Sequence, residues 1–217
     1  KKYIYFPLNY QPERSTVPDA GIFFSLYLIL GMLNQCLPSD VEIFVKEHPR
    51  VLRNVIDQDT SRDVYSYNLM MKFCPRVKFI DDHFNPFQII DNALFTVSAT
   101  GNSSTTWQSV CRMKPVVQFS SGWLDGLAGV YTAETNDELL NAINCVYNNP
   151  KIDMNEVKNY VRSILVWCKD LDFYFTSNVD ERSCSFDSKN IISNSKKVEV
   201  ITSEVHKTVN LFYQNCN

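Results

Sequence analysis

Apolar and polar positions fall along this chain in blocks whose lengths switch between those of buried strands and those of amphipathic helices. Tyr3 to Leu8 is a strand-length apolar run, closed by Asn9-Tyr10-Gln11-Pro12-Glu13-Arg14-Ser15-Thr16-Val17-Pro18. Two prolines among Gln, Glu, Arg, Ser and Thr exclude a helix interior, so this stretch is a polar loop at the strand's C-terminal end. Ile22 to Leu33 predicts a strongly apolar helix. Val41 to Val45 predicts a second strand, which delivers Lys46-Glu47-His48-Pro49-Arg50 at its exit. Arg62 to Phe73, with apolar residues at Val64, Tyr67, Met70 and Met71, predicts a helix. Val77 to Ile80 predicts a third strand. The turn Asp81-Asp82-His83 follows, and then a short helix from Pro86 to Asn92, with proline where a first helical turn accepts it.

The block from Leu94 to Phe119 organises the rest. An apolar β-branched run (Leu94 to Val97) leads into the small-residue loop Ser98 to Thr106, a short helix from Trp107 to Met113 and a second apolar run from Pro115 to Phe119. Strand, hydroxyl-rich loop, helix and strand in that order form a βαβ unit. Gly129 to Thr132 predicts a sixth short strand, and Asn136-Asp137-Glu138 opens a helix through Val146. Asp153 to Cys168 predicts a further helix. Residues 176–197 turn to Ser, Asn, Asp and Lys and read as a loose linker. Val198 to Tyr213, apolar at Val198, Ile201, Val205, Val209 and Phe212, predicts an amphipathic helix. The pattern is that of an α/β fold with a parallel sheet over residues 1–148 and a helical tail over 149–217.

Composition narrows the class. With 217 residues, 45% hydrophobic and 21% charged, and a formal charge of −3, the chain offers no electrostatic case for nucleic acid. Its seven cysteines, Cys36, Cys74, Cys111, Cys145, Cys168, Cys184 and Cys216, are odd in number and contain no Cys-x-x-Cys pair. Reduced thiols and a cytoplasmic location are therefore expected, in place of a disulfide framework or a zinc site. No apolar run has the length of a membrane span. The chain begins directly in a strand-like run without methionine, and the expectation is a fragment of something longer.

In parallel α/β sheets, ligands lie at the C-terminal ends of the strands, near the point where strand order reverses. That rule gathers three polar exits, the loop after Leu8, the turn Lys46 to Arg50 and the loop Ser98 to Thr106, into one expected crevice. His48 there donates to a phosphate or acts as an acid, and Lys46 and Arg50 supply positive charge. The loop opening the central helix offers free N–H groups and the positive end of a helix dipole, which favour an anion. Each feature also has a plainer reading: a solvated charged turn at Lys46 to Arg50, and simple helix capping by the Ser and Thr residues. Asn102-Ser103-Ser104 matches a glycosylation sequon that is inert in a reduced-thiol protein. His83 and His206 read as isolated surface or capping residues. Trp107, Trp123 and Trp167 read as core, with Trp123 placed to border a sugar pocket.

Phe6 to Thr16, then Val45-Lys46-Glu47-His48-Pro49, then Ser103-Ser104-Thr105-Thr106-Trp107-Gln108 before Lys114-Pro115-Val116 resemble bacterial capsular and surface polysaccharide biosynthesis proteins. These are glycosyltransferases of the GT-B fold, similar to capsule Kdo transferases and more distantly to bacterial sialyltransferases. The resemblance covers residues 3 to about 146, with three motifs in the family's order. It implies one Rossmann-like half of a GT-B fold, the donor-binding one, with an N-terminal GT-B domain absent here. Donor phosphate would be met by His48 and Lys46 and cradled by the loop of Ser103, Ser104 and Thr105. The helix after it, with Gln108, would hold the donor's ribose, and Gln11 and Glu13 are further donor-binding candidates. No metal is required in principle and no cofactor beyond the nucleotide-sugar donor, which is substrate. A glycan or lipid-linked acceptor and peripheral membrane association are the further partner expectations. This chain departs from the family pattern at Asn9 (His in the family), Arg14 (Ala), Thr106 (Gly) and Gln108 (Glu), and an extra residue stands between Gly101 and Thr106. Two other readings stay open: a sugar-nucleotide epimerase of related architecture, and a non-catalytic module that binds nucleotide or a partner protein.

Overall fold

Strands that are covered on both faces must be apolar at successive positions, and the first two strands of the sheet show this directly. The computed structural model describes residues 1–11, 16–49, 51, 62–149 and 151–163. In chain order the elements are β1 (Lys2–Pro7), a 3-10 turn (Gly21–Phe24), α1 (Leu26–Cys36), β2 (Val41–Lys46), α2 (Val64–Phe73), β3 (Val77–Ile80), α3 (Pro86–Asn92), β4 (Thr96–Ser98), α4 (Ser104–Cys111), β5 (Val116–Gln118), β6 (Val130–Thr132) and α5 (Asn136–Asn148). Residues 154–163 are also helical. The six strands form one parallel sheet in the order β3-β2-β1-β4-β5-β6, a Rossmann-like arrangement whose strand order reverses between β1 and β4.

Period-two alternation sorts each strand between the two faces. Ile4 and Phe6 of β1, with Ile43 and Val45 of β2 and Val117 of β5, meet α1, α2 and α5. Tyr5 of β1 meets Ile89 and Ile90 of α3 on the opposite face. Val116 and Val130 meet Val110 of α4 together with Ile152 and Val157. Helix α1 buries Leu26, Ile29, Leu30 and Leu33, a stripe at helical spacing that covers the centre of the sheet. Helix α5 begins with a reciprocal capping box between Thr135 and Glu138 and buries Leu139, Ala142, Ile143 and Val146.

Of the boundaries that differ from the sequence reading, three have a visible cause. The apolar stretch from Ile22 is not one helix. It breaks at Ser25, extended at φ −76° and ψ 95°, and the 3-10 turn before the break carries Phe23 into contact with Phe119 at 5.1 Å. Helix α2 starts at Val64, because Asp63 caps it by accepting from the Ser66 N–H at 2.7 Å. That leaves Arg62 outside the helix. Helix α4 starts at Ser104, three residues before the expected Trp107, with Ser103 as its N-cap accepting from the Thr105 N–H.

Residues Lys1–Ser163 make one compact unit. The expected linker near 176–197, the helix from Val198 to Tyr213 and the end of the helix expected to reach Cys168 lie outside the described residues. Among the described residues no helix is long and apolar enough to cross a membrane, and Cys36, Cys74, Cys111 and Cys145 are free thiols.

Candidate functional site

The register of the sheet opens a crevice at its centre. β1 pairs with β2 along its whole length, from Lys2 opposite Val41 to Pro7 opposite Lys46. With β4 it pairs at Tyr5 and Thr96 only. Beyond that point the exits of β1 and β4 part, and a crevice of about 750 Å³ lies between them. Its walls come from several strand ends at once: Asn9 and Tyr10 after β1, Lys46 to Pro49 at the end of β2, Pro86 after β3, Asn102 to Thr105 after β4 and Trp123 after β5. The expectation that the polar strand exits share one edge is met in this geometry.

His48 reaches the crevice with its ring beside Tyr10, centroids 5.7 Å apart. Ser103, Ser104, Thr105 and Gln108 line the same space from the first turns of α4; the expected free N–H groups are largely taken there, with the Thr105 and Thr106 N–H groups donating to Ser103 and the Asn102 and Ser103 N–H groups to Thr100. Asn102 joins them and donates through Nδ2 to Asp19 Oδ2 at 3.2 Å. The loop that presents these groups is pressed onto the next strand exit: the Gly101 N–H donates to Ser120 O at 3.0 Å, and a Cβ added to Gly122 would lie 2.2 Å from the Gly101 carbonyl carbon. Only glycine permits so close a backbone approach.

Lys46 lines the crevice, but its ammonium is directed to carbonyls. Nζ donates to Asp82 O at 2.9 Å and to Phe84 O. Burial lowers its pKa, opposed by the nearby Asp82 and Asp81 charges. The side chain thus ties the β3–α3 turn to the end of β2. Gln11 is not part of the crevice wall. Its Nε2 donates to Phe24 O at 2.7 Å and its Oε1 accepts from Arg62 at 3.0 Å. Glu13 lies outside the described residues.

The sequence reading did not find the polar cluster beneath His48. Glu47 and Arg62 form an ion pair at 2.6 Å with side chains 7% and 9% exposed. Glu47 Oε1 also accepts from the His48 N–H at 2.6 Å, and Oε2 accepts from the Tyr67 hydroxyl at 2.8 Å. Burial first, and then the bond to Glu47, raise the Tyr67 pKa. Arg62 Nη2 donates to Asn9 O at 2.6 Å as well. One guanidinium therefore joins the exit of β1 to the exit of β2, using the planar fork that suits arginine to such a place. Asp19 was a second omission. Nothing in a single sequence marks a carboxylate contributed by an irregular loop.

No family model matches the sequence, and no curated protein matches it. Among solved structures, the chain is similar to UDP-GlcNAc 2-epimerase from Methanocaldococcus jannaschii, with a TM-score of 0.47 and 12% identity over 76% of this chain and 46% of that one. It is also similar to trehalose-6-phosphate synthase OtsA, with a TM-score of 0.45 and 12% identity over 74% of this chain and 38% of that one. A third is the beta Kdo 2,4 transferase KpsC of Thermosulfurimonas dismutans, with a TM-score of 0.39 and 17% identity over 74% and 51%. The chain spans about half or less of the length of these proteins.

Proposed function

We propose that the chain is the donor-binding half of a glycosyltransferase that builds a surface polysaccharide, with the nucleotide phosphate of the sugar donor held between His48 and the first turn of α4. The observation that carries this reading is the crevice itself. It sits where strand order reverses, and it brings His48 within the same walls as the N-terminal turn of a helix and its capping hydroxyls. The order of the three motifs, Asn9 to Thr16, Lys46 to Pro49 and Ser103 to Gln108, supports the same reading through the family resemblance.

In this reading the chemistry is leaving-group stabilisation. When the bond between the anomeric carbon and the phosphate oxygen lengthens, negative charge grows on the phosphate, and fixed donors already aimed at it lower the barrier. The positive end of the α4 dipole and the Ser104 and Thr105 side chains lining the crevice supply that stabilisation, and His48 adds a hydrogen bond or a proton. Gln108, one turn further along α4, is placed to bond a hydroxyl of the nucleotide ribose. The acceptor and the group that activates it belong to the remainder of the enzyme.

Amide chemical-shift mapping of the whole chain with cytidine 5′-monophosphate and uridine 5′-diphosphate tests the placement. The expected outcome is perturbation centred on His48 and Ser103 to Thr105. Perturbations confined to the opposite edge of the sheet, at Lys1, Asp40 or Arg76, would reject it.

A further inference from the structure

The ladder between β1 and β2 ends at Pro7 opposite Lys46, with one more backbone bond from the Leu8 N–H to Lys46 O at 2.8 Å. Past that point the two chains that wall the crevice have no sheet to hold them together. Beside the Tyr10 ring, which lies against His48, Arg62 joins them there, bonded to Asn9 O and Gln11 Oε1 on one side and to Glu47 on the other. The carboxylate oxygen that Arg62 grips, Oε1, is the one that accepts the His48 N–H.

We propose that Arg62 is a positioning residue for the donor site: clamped to Glu47, it fixes the His48 backbone against the β1 exit, and phosphate affinity depends on that clamp. The inference rests on His48 meeting the donor phosphate. A buried ion pair is a poor device for stability alone, because desolvating two charges offsets much of their attraction and apolar packing of the same volume serves as well. It does fix geometry. Both Glu47 oxygens are engaged, by Arg62 and His48 on Oε1 and by Tyr67 on Oε2, so the carboxylate cannot turn without losing a bond. Loss of the guanidinium fork would leave the Glu47 carboxylate to the Tyr67 hydroxyl and the His48 N–H, without the partner that ties it to the β1 exit, and would unpin Asn9.

A double-mutant cycle on the whole chain tests this, with calorimetric titration of cytidine 5′-monophosphate and uridine 5′-diphosphate into the parent, Arg62→Lys, His48→Ala and the combination. Lysine keeps the charge and loses the fork. Arg62→Lys is expected to weaken the nucleotide that binds by about tenfold and to have little further effect once His48 is alanine, because the group it positions is gone. Equal weakening in both backgrounds, or none in the parent background, would overturn the inference. If Arg62→Lys does not fold, Tyr67→Phe, which removes one bond to Glu47, takes its place in the same cycle with a smaller expected effect of the same pattern. If neither nucleotide binds the parent, or if His48→Ala binds as tightly as the parent, the donor-site reading itself fails. That outcome is distinct from additivity in the cycle.

Discussion

Gly101 and Gly122 meet backbone against backbone, so close that a Cβ on either would lie under 3 Å from main-chain atoms of the other. The contact seats the loop after β4, which presents Asn102 to Thr105 to the crevice, on the segment that leads to Trp123. Gly122→Ala must push these two backbones apart. The expected cost is about 1–3 kcal/mol, the range for overpacking a filled site, measured by denaturant unfolding. Gly31→Ala supplies the contrast: nothing lies within 4 Å of the added carbon, in the middle of α1. It should raise stability by about 0.5–1 kcal/mol. Destabilisation by both, or by neither, would refute the packing argument.

Lys46 is expected to behave as an anchor of the β3–α3 turn. Lys46→Met removes the bonds to Asp82 O and Phe84 O while keeping the length of the stem. These bonds are part-buried and water can reach the carbonyls, so the loss should be that of an ordinary hydrogen bond, about 0.5–1.5 kcal/mol, and unfolding should be easier by an amount in that range. Nucleotide affinity should fall less than in His48→Ala. A larger loss of affinity in Lys46→Met than in His48→Ala would make the ammonium the principal phosphate ligand.

The turn after β3 carries a pH signature. The Asp81 carboxyl is held down to about 2, first by the hydrogen bond from the His83 N–H and then by its ring. A carboxyl whose folded pKa lies below its unfolded value, about 3.9, binds more protons unfolded. Its contribution is therefore present above about pH 4 and is lost as pH falls toward 2. The stability difference between the parent and Asp81→Asn should shrink across that window in thermal melts. Because the group is exposed, the difference should be small and weaken with salt. A difference that stays constant from pH 5 to pH 2 would show that Asp81 acts through shape alone.

Gln108→Glu tests the far end of the crevice. A carboxylate accepts a hydrogen bond from a ribose hydroxyl more strongly than a neutral amide does, so the variant should bind a ribonucleotide more tightly than the parent. The 2′-deoxy analogue should gain less. An equal change for both sugars would remove Gln108 from the ribose.

Much of the fold was legible because it is local. β3 and α3 were read from Val77 to Ile80 and Pro86 to Asn92 with the bounds the structure has, since short apolar runs and a proline after Asn85 leave little choice. The break at Ser25 was not legible. It depends on where Phe23 finds Phe119, almost a hundred residues away. The early start of α4 was missed because apolar spacing points to Trp107, whereas capping by Ser103 begins the helix sooner. Of the site, the strand exits could be placed on one edge by topology alone. The Arg62–Glu47–Tyr67 cluster could not, because an arginine and a tyrosine 15 and 20 positions from Glu47 are written in the sequence as they would be on a solvated surface. Lys46 was legible as a cation at the site, but not in the direction its ammonium takes.

His48 carries the central claim, and calorimetric titration of His48→Ala with cytidine and uridine nucleotides tests it most directly. A charge-assisted bond lost from the phosphate should weaken binding by about 1.5–3 kcal/mol while the thermal unfolding midpoint stays close to that of the parent. Unchanged affinity for every nucleotide that binds the parent chain would contradict the account and place the site elsewhere.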